Sequence, residues 1–584
     1  MNRETEAHFG SVPRVHAQRS KFDVSHSIKT TFNVGDIVPL EVTEILPGDT
    51  MQLDMAEIVR MATPIYPIMD NLFMDIYNFF VPTRLVWEHW QQFWGENDDP
   101  WIQQNEYEIP QITSPSGQGW TEGTIADYMG IPTHVDKLSV SALPFRCYAK
   151  IFNDWFRDEN LTYNCHIYED ETTRQGSNGS TTVTDVELGG KPAKASKLHD
   201  YFTSALPSPQ KGPAVSIPLG TTANVYTAEE RLGSKNNPLM MDWYRQNPPS
   251  GGALDLKLAS EGGVQKSAAD WSSWNVSYYR ATDLGPGANA DTLGMGAGVS
   301  IATAENTGDV GINQSYLVPN NLYTDLSNAT AATISELRTA FAIQKFYEQV
   351  GRTGSRYIEF LRGVFGVESS DARLQRSEYL GGTRIPINID QVLQTSSTDA
   401  TSPQGNTGAF SCTRSHDSMF TKSFEEHGYV LTLIVVRCEH SYQQGLEKMW
   451  SRKKWTDFYN PFFANLSEQG ILNKEIFATG GDSDEEVFGY QEAWAEYRYR
   501  PNRVTGAMRS NYSGGSLDAW HFADDYSSQP YLDDDWILEP TSNIDRTIAV
   551  QSQIANQFIG DFYFKEYMTR PMPVYSIPGL IDHV

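Results

Sequence analysis

The segment Tyr429-Val430-Leu431-Thr432-Leu433-Ile434-Val435-Val436 is the longest near-continuous apolar run in the 584-residue chain. A short run of β-branched and aliphatic residues without polar alternation is typical of a strand that is buried on both faces. The run is far shorter than the roughly 20 residues that a membrane-spanning helix requires. It therefore predicts a central strand of a β-sheet and no insertion into a membrane.

Further strands are predicted on both sides of this segment. Residues 72–81 are rich in strand-forming side chains, and residues 31–45 combine alternating apolar positions with glycine-containing turn signals. Late in the chain, Trp494, Tyr497 and Tyr499 lie among charged residues and predict another strand. The chain is therefore expected to be mainly β.

Helices are expected at only a few places. Thr333 and Glu336 have capping-box spacing and precede a helical pattern that Gly351 and Gly354 are expected to end. A second helix is predicted after Ser141 and a third after Thr83, each with aromatic residues at helical spacing. Aromatic stripes of this kind usually pack into a core rather than bind a ligand.

The charge of the chain limits its partners. Lysine and arginine total 45 against 73 aspartate and glutamate residues, which gives a formal net charge of −28. A molecule with this charge repels DNA, RNA and anionic membranes as a whole. Any contact with nucleic acid is therefore expected through a local basic surface or through a separate cationic partner.

No sequence motif indicates catalysis or metal binding. P-loop, HExxH and GxSxG patterns are absent, and the four cysteines (Cys147, Cys165, Cys412 and Cys438) form no CxxC pair. They are expected to be reduced thiols, and the N-terminus lacks a secretory signal pattern. We therefore predict no catalytic residue, cofactor or metal site. Carboxylates are plentiful, so a glycosidase acid pair stays an open alternative.

Two basic clusters stand out from the acidic background. One comprises Arg452, Lys453 and Lys454 with Trp455 beside them, and the other contains Arg498 and Arg500 around Tyr499. Cations that follow phosphates and rings that stack on bases are typical of single-stranded nucleic-acid binding. The alternative is that these cations pair with carboxylates of a neighbouring loop or subunit.

Three regions differ from the rest in composition. Residues 1–30 are locally basic and predict an arm. Residues 221–320 are rich in glycine and alanine but contain several tryptophans and tyrosines, which favours a compact insertion over a flexible linker. Residues 510–545 are acidic, fit no EF-hand spacing and predict a solvated face, with a metal site there left open.

Nine segments, in this order along the chain, carry a family resemblance. They are residues 29–39, 47–50, 79–87, 142–146, 200–207, 371–376, 426–430, 491–499 and 570–583. Together they resemble the major capsid proteins of gokushovirus-type Microviridae, which are small bacteriophages with circular single-stranded DNA. The resemblance covers most of residues 20–220 and 320–584 and weakens in between.

The resemblance implies a fold and a division of the chain. The implied fold is an eight-stranded antiparallel jelly roll, a viral capsid β-sandwich with long loop insertions and a few short helices. Residues 1–30 would be an N-terminal arm, and residues 31–220 would be the first part of the core. Residues 221–320 would form an inserted surface loop that builds a threefold protrusion. Residues 321–584 would complete the core and end in an extended C-terminal arm.

The resemblance also implies a function and partners. The chain would be a structural protein without enzymatic activity that assembles in the host cytoplasm into a virion, with about 60 copies forming a T=1 icosahedral shell. Its partners would be packaged single-stranded DNA, a small basic DNA-binding virion protein, a pilot or minor capsid protein and a host-cell receptor.

Charge and position single out candidate contact residues within that scheme. Trp271, Trp274, Tyr278 and Tyr279 are the candidates for host attachment. The residues expected to face DNA are Arg14, Arg19, Lys21, Arg452, Lys453, Lys454, Trp455, Arg498 and Arg500. The competing interpretation is a secreted or surface β-sandwich, either a carbohydrate-binding protein or a glycosidase.

Overall fold

The computed structural model describes residues 18–96, 107–213, 215, 225–227, 243–246, 316–319, 322–324, 334–354, 356–396, 398 and 403–575. The chain divides into two compact units. One combines Met1–Ala214 with Lys345–Val584, and the other is Val215–Gln344.

Strands dominate the described residues. In chain order they are β1 (Ser20–Asp23), β2 (His26–Phe32), β3 (Val38–Ile45), β4 (Thr50–Met61), β5 (Leu72–Pro82), β6 (Gln111–Thr113), β7 (Ser139–Ser141), β8 (Arg174–Gln175), β9 (Val225–Thr227), β10 (Trp243–Gln246), β11 (Tyr316–Pro319), β12 (Leu322–Thr324), β13 (Glu378–Pro386), β14 (Ile389–Leu393), β15 (Thr407–Ser411), β16 (Thr413–Ser423), β17 (Gly428–Cys438), β18 (Ser441–Tyr442), β19 (Gln469–Leu472), β20 (Val487–Gln491), β21 (Asn502–Arg503) and β22 (Phe558–Arg570).

Most helices are single turns. The α-helices are α1 (Trp90–Phe93), α2 (Ile125–Tyr128), α3 (Leu143–Ile151), α4 (Ile334–Thr353), α5 (Tyr357–Phe360), α6 (Asn473–Ile476) and α7 (Ser542–Asp545). Turns of 3-10 helix span Thr83–Leu85, Lys448–Ser451, Trp455–Asp457, Pro461–Phe463, Asp482–Glu485, Ala495–Tyr497, Gly506–Met508 and Asp518–Trp520, and π-helical turns span Phe152–Phe156 and Leu361–Phe365. Within the described residues, no helix has both the length and the apolar character of a membrane span.

Two large antiparallel sheets form the centre of the first unit. One has the strand order β1-β22-β4-β16, with β2 also paired to β22, and the other has the order β13-β5-β17-β3. Smaller pairings include the parallel pair of β18 and β21. The fold is therefore mainly β with antiparallel sheets and few helices, as the sequence predicts.

The main hydrophobic core draws on both large sheets. Met55 of β4 and Phe562 of β22 belong to the same buried cluster as Ile76 of β5 and Ile434 of β17. In β4 buried and partly exposed residues alternate, which is the two-residue period of a strand with one buried face. One face of each sheet therefore contributes to this core.

A second buried cluster covers the other face of the four-stranded sheet. Leu431, Leu433 and Val435 of β17 pack there with Phe145 and Tyr148 of α3. Strand β17 lies between β5 and β3 and is buried on both faces, so the prediction from the 429–436 run is confirmed. Residues 72–81 likewise lie within β5.

The helix predictions have mixed outcomes. Helix α4 ends at Thr353, and Gly354 follows with a left-handed φ of 103°, as predicted. Gly351, the other predicted stop, lies inside the helix, because a glycine that keeps helical φ does not end one. The helix predicted after Ser141 forms as α3, although Ala142 rather than Ser141 is its N-cap. The single helix predicted after Thr83 is wrong, because that segment forms a 3-10 turn and the separate four-residue α1.

The strand predicted around Trp494 is also wrong. Trp494 adopts a left-handed backbone conformation with φ 67°, and a 3-10 turn follows it over Ala495–Tyr497. Its indole nitrogen donates a hydrogen bond to the carbonyl oxygen of Phe463 at 2.9 Å, and its ring contacts Tyr459. Tertiary contacts of the large ring, rather than strand pairing, therefore decide the local conformation.

The second unit contains two described strand pairs. Strand β9 pairs with β12, and β10 pairs with β11, both antiparallel. Each pair joins segments that lie roughly 70 to 100 residues apart, which indicates non-local pairing inside this unit.

Candidate nucleic-acid interface

The structure brings the two basic clusters into one surface. Strand β18 precedes the first cluster and pairs in parallel with β21, which follows the second. The backbone N–H of Tyr459 donates to the hydroxyl of Tyr497 at 3.4 Å, which joins the two segments again. We call the resulting patch, residues 448–463 and 497–503, the basic-aromatic surface.

Arg452 is committed to internal contacts within this surface. Its guanidinium forms a salt bridge with Glu496 (Nη2–Oε1, 3.1 Å) and lies 4.4 Å from the ring centroid of Tyr497. The side chains of Arg452 and Glu496 are only 11% and 12% exposed. The geometry of Arg452 therefore favours the alternative that it pairs with a carboxylate of a neighbouring loop, rather than contact with DNA.

Two other arginines of the surface are paired but exposed. Arg498 forms a salt bridge with Glu492 at 2.5 Å, and Arg503 forms one with Glu447 at 2.5 Å. Arg498 also donates to the carbonyl oxygen of Ala493 at 2.6 Å. Exposed ion pairs contribute little to stability, so losing the carboxylate partner costs little. These arginines are therefore available to phosphate at small cost.

Three cations of the surface are exposed and unpaired. In the described part of the chain, the side chains of Lys453, Lys454 and Arg500 form no salt bridge within 4.0 Å. The backbone N–H groups of Lys453 and Lys454 donate to the carboxylate of Asp457 at 2.8 Å each, which lowers the pKa of Asp457. This fixes the local backbone and leaves both ammonium groups free to reach a ligand.

Aromatic rings lie among these cations. Trp450 is 69% exposed, Trp455 is 74% exposed and Phe462 is 94% exposed. An adjoining cavity of about 380 Å³ is lined in part by Trp450, Tyr499 and Arg500. Exposed rings beside cations suit base stacking, and they equally suit the core of a protein–protein interface.

Comparison with known proteins assigns the chain to a family. It matches the family described as "Capsid protein (F protein)" over residues 10–580. It is 42% identical to capsid protein VP1 of Spiroplasma virus 4, covering 97% of this chain and 96% of the relative. It is 41% identical to capsid protein VP1 of Bdellovibrio phage phiMH2K (99% and 98% covered) and 39% identical to that of Chlamydia phage 1 (98% and 97%).

The chain belongs to this capsid protein family. It is a major capsid protein of the Microviridae type, and the gokushovirus resemblance is confirmed. Proteins of this class are virion components and structural proteins rather than enzymes, as the sequence predicts. The basic-aromatic surface is therefore a feature of a capsid subunit.

The N-terminal cations of the capsid protein lie elsewhere in the fold. Arg19 donates a hydrogen bond to the carbonyl oxygen of Gly48, and the ammonium of Lys21 lies 3.9 Å from the ring centroid of Tyr567. Lys21 belongs to β1, which pairs with β22 at one end of the five-stranded sheet. Among the described residues, neither of these two cations contacts the basic-aromatic surface. Arg14 lies outside the described residues.

The residues predicted for host attachment also lie outside the described residues. They are Trp271, Trp274, Tyr278 and Tyr279.

The acidic stretch of the capsid protein is only partly a solvated face. Asp533, Asp534 and Asp535 are exposed, as predicted, but Asp524 and Glu539 are 3% and 2% exposed. Both buried carboxylates contact the imidazole of His440, so the expectation of a uniformly solvated stretch is wrong. The composition of the stretch does not indicate that these two carboxylates are buried, because their partner His440 lies some 80 to 100 residues earlier in the chain.

Proposed function

We propose that about 60 copies of this capsid protein form a T=1 icosahedral shell around circular single-stranded DNA. The family assignment supports the class of protein. The observation that supports contact with the genome is the cluster of free cations and exposed rings in the basic-aromatic surface. Electron cryomicroscopy of purified particles tests the shell, and a different triangulation number would contradict it.

We propose in addition that the eight long strands form a jelly roll. One sheet has the order β2-β22-β4-β16 and the other has the order β3-β17-β5-β13. The first of these long strands, β2, lies beside the last, β22. Successive long strands alternate between the two sheets except β5 and β13, which pair within one sheet, and this connectivity supports a double Greek key. The same density map would test this connectivity strand by strand.

Exposed apolar side chains support self-assembly. A monomeric soluble protein seldom exposes large contiguous apolar patches, whereas subunit interfaces concentrate aromatic residues. The described residues with large side chains that are at least 70% exposed are Met69, Tyr163, Trp455, Phe462, Ile554 and Tyr575. In a shell these side chains, apart from Trp455 on the basic-aromatic surface, would be covered by neighbouring subunits.

The charge of the subunit constrains how the genome is held. A net charge of −28 disfavours DNA over most of the surface, and phosphate contacts depend on lysine and arginine. We propose that Lys453, Lys454 and Arg500 face the genome, with Trp455 stacking on bases. The small basic DNA-binding virion protein would supply the remaining positive charge, and a pilot or minor capsid protein would complete the particle.

The genome-facing assignment is tested by charge reversal. Lys453→Glu with Lys454→Glu should give particles of normal size with less DNA, measured by the absorbance ratio at 260 and 280 nm after sedimentation. The matched control is Arg338→Glu with Lys345→Glu on α4, which makes the same charge change on exposed residues elsewhere. Unchanged DNA content in the lysine variant would contradict the assignment.

The same surface has a second candidate role as a subunit interface. The high exposure of Trp450 and Phe462 favours this alternative, since rings of that size anchor protein contacts. If the surface joins subunits, Trp450→Ala and Phe462→Ala should block particle formation. If it faces DNA, particles should form and only their DNA content should change.

We propose that residues 221–320 serve host attachment at threefold protrusions. The division of the chain into Val215–Gln344 and a separate main unit supports an insertion with its own fold. Deleting residues 225–315 should leave shells that assemble but no longer bind cells. Loss of assembly in that deletion would contradict the proposal.

A further inference from the structure

Three potential metal ligands of different types converge at the end of β17. Cys438 is its last residue, His440 follows two positions later, and Glu539 comes from the distant acidic stretch. The Sγ of Cys438 lies 2.9 Å from Oε1 of Glu539, and Nε2 of His440 lies 3.2 Å from Oε2. The sulfur and Nε2 are 3.9 Å apart, and the ligand atoms of all three residues lie within 4.8 Å of one another.

The other ring nitrogen of His440 has a fixed partner. Nδ1 lies 3.1 Å from Oδ1 of Asp524, so the ring is oriented with Nε2 facing the thiol and the glutamate. Asp524 in turn accepts hydrogen bonds from Asn543 at 2.5 Å and Tyr526 at 2.9 Å. A carboxylate that orients a histidine in this way is the usual outer partner of a metal-ligating imidazole.

We propose that Cys438, His440 and Glu539 bind one divalent transition-metal ion of the zinc type. Sulfur, imidazole and carboxylate donors together match Zn²⁺, whereas Ca²⁺ and Mg²⁺ take oxygen ligands. The two oxygens of Glu539 face the thiol and the imidazole separately, so they can complete a four-donor set.

Charge balance is consistent with this ion. A cysteine thiolate and Glu539 carry two negative charges that a divalent cation neutralises, and Asp524 is balanced by Lys197 at 3.6 Å. The cluster is also neutral without a metal if His440 is protonated and Cys438 is a thiol. In the structure the Sγ of Cys438 donates a hydrogen bond to Oε1 of Glu539 at 2.9 Å, so both atoms already face the same point. Metal binding would release the thiol proton and the imidazole Nε2 proton to solvent and replace this hydrogen bond by two bonds to the ion.

The site would join three parts of the chain that lie far apart in the sequence. The N–H of Asp524 donates to the carbonyl oxygen of Ser441 at 2.9 Å, and the N–H of Glu539 donates to that of Ala195 at 3.0 Å. A metal here would tie the end of β17 to the acidic stretch and, through it, to residues 193–197. Because a preformed site rarely exists in the unfolded chain, its binding energy would stabilise the folded subunit.

Metal analysis of the purified full-length protein tests the proposal. After dialysis, we expect about one zinc per chain by plasma mass spectrometry. Cys438→Ser and His440→Asn should lose it, and Asp524→Asn should weaken binding about 10- to 100-fold. The matched control is Cys147→Ser, another fully buried thiol but in the second core cluster, which should keep the metal.

Cobalt substitution tests the site in the wild-type protein, so its result does not depend on whether a variant folds. Co²⁺ bound by Cys438 should produce a near-ultraviolet sulfur-to-cobalt charge-transfer band. Retention of zinc in Cys438→Ser, or wild-type protein that takes up neither zinc nor cobalt, would overturn the proposal. Cobalt binding without the charge-transfer band would also overturn it, since the thiolate would not be a ligand.

Discussion

Arg452 and Glu496 form a salt bridge (Nη2–Oε1, 3.1 Å) across 44 residues of sequence, with side chains only 11% and 12% exposed. The pair lies beneath a surface on which Lys453 and Lys454 are free. Two neighbouring cations of one basic cluster therefore have different roles, one structural and one available for binding.

This difference predicts unequal effects of two adjacent substitutions on stability. Arg452→Ala should lower the free energy of unfolding by about 2 kcal/mol, because it leaves Glu496 largely buried without its partner. Lys453→Ala should change it by less than about 0.5 kcal/mol, as is usual for exposed side chains. Chemical denaturation of the purified protein measures both, and equal losses would contradict the structural role of Arg452.

The free lysines predict a salt-dependent affinity for single-stranded DNA. Each phosphate neutralised on a single strand adds about −0.7 to the slope of log affinity against log salt concentration. Replacing Lys453 and Lys454 by alanine should therefore flatten this slope by about 1.4 units, measured by fluorescence anisotropy with a labelled oligonucleotide. Lys345→Ala on α4 should leave the slope unchanged, and an unaltered slope in the double variant would exclude phosphate contact by the two lysines.

Glu57 predicts a pH dependence of stability. It is 1% exposed on the core side of β4, and desolvation, with Asp417 nearby, raises the pKa of Glu57 from 4.5 to about 7. The folded state therefore prefers the protonated carboxyl, so stability should fall as the pH rises from about 4.5 through 7. The loss from this one group is at most about 3 kcal/mol.

Replacing Glu57 by glutamine tests this dependence. Glu57→Gln should reduce the fall in the free energy of unfolding between pH 5 and pH 8, and Glu44→Gln, at an exposed carboxylate of β3, should not. Denaturation curves at several pH values measure the effect. Parallel pH profiles for the wild type and Glu57→Gln would show that Glu57 does not titrate in this range.

Gly35 predicts a steric requirement between two distant parts of the chain. Its φ is +77°, and a Cβ atom there would lie 2.8 Å from the carbonyl oxygen of Glu539. Gly117 has a similar φ of +83°, but no described atom lies within 4 Å of its Cβ position. Gly35→Ala should therefore destabilise the protein by about 2 kcal/mol more than Gly117→Ala, because both carry the backbone strain but only one creates a clash.

Thermal denaturation of the two glycine variants gives the comparison. Equal losses would mean that the loop carrying Glu539 moves aside at no cost.

Local composition was enough to predict the strands that are buried on both faces. The 429–436 run needs no information about its partners, since almost any packing of such a segment places it inside a sheet. The basic clusters were likewise visible in the sequence. Which of their cations are paired and which are free was not. Whether Arg452 or Lys453 is free depends on Glu496, which only the folded chain brings near.

The wrong predictions for Asp524 and Trp494 have the same physical cause. Asp524 and Asp525 are adjacent, yet one is 3% exposed and the other is exposed, because only Asp524 faces His440. Trp494 was expected in a strand, but its ring contacts set its backbone conformation. Long-range partners decide such cases, and they leave no periodic signal in a single sequence.

The position of β22 has a consequence for biosynthesis. Residues Phe558–Arg570 lie between β4 on one side and β1 and β2 on the other. Among the described residues, the last long strand in chain order thus fills the middle of a sheet whose flanking strands emerge from the ribosome some 500 residues earlier. A nascent or prematurely terminated polypeptide lacks this strand and leaves a gap in that sheet. We therefore expect a chain that stops before residue 558 to be unable to complete this sheet and to be excluded from shells.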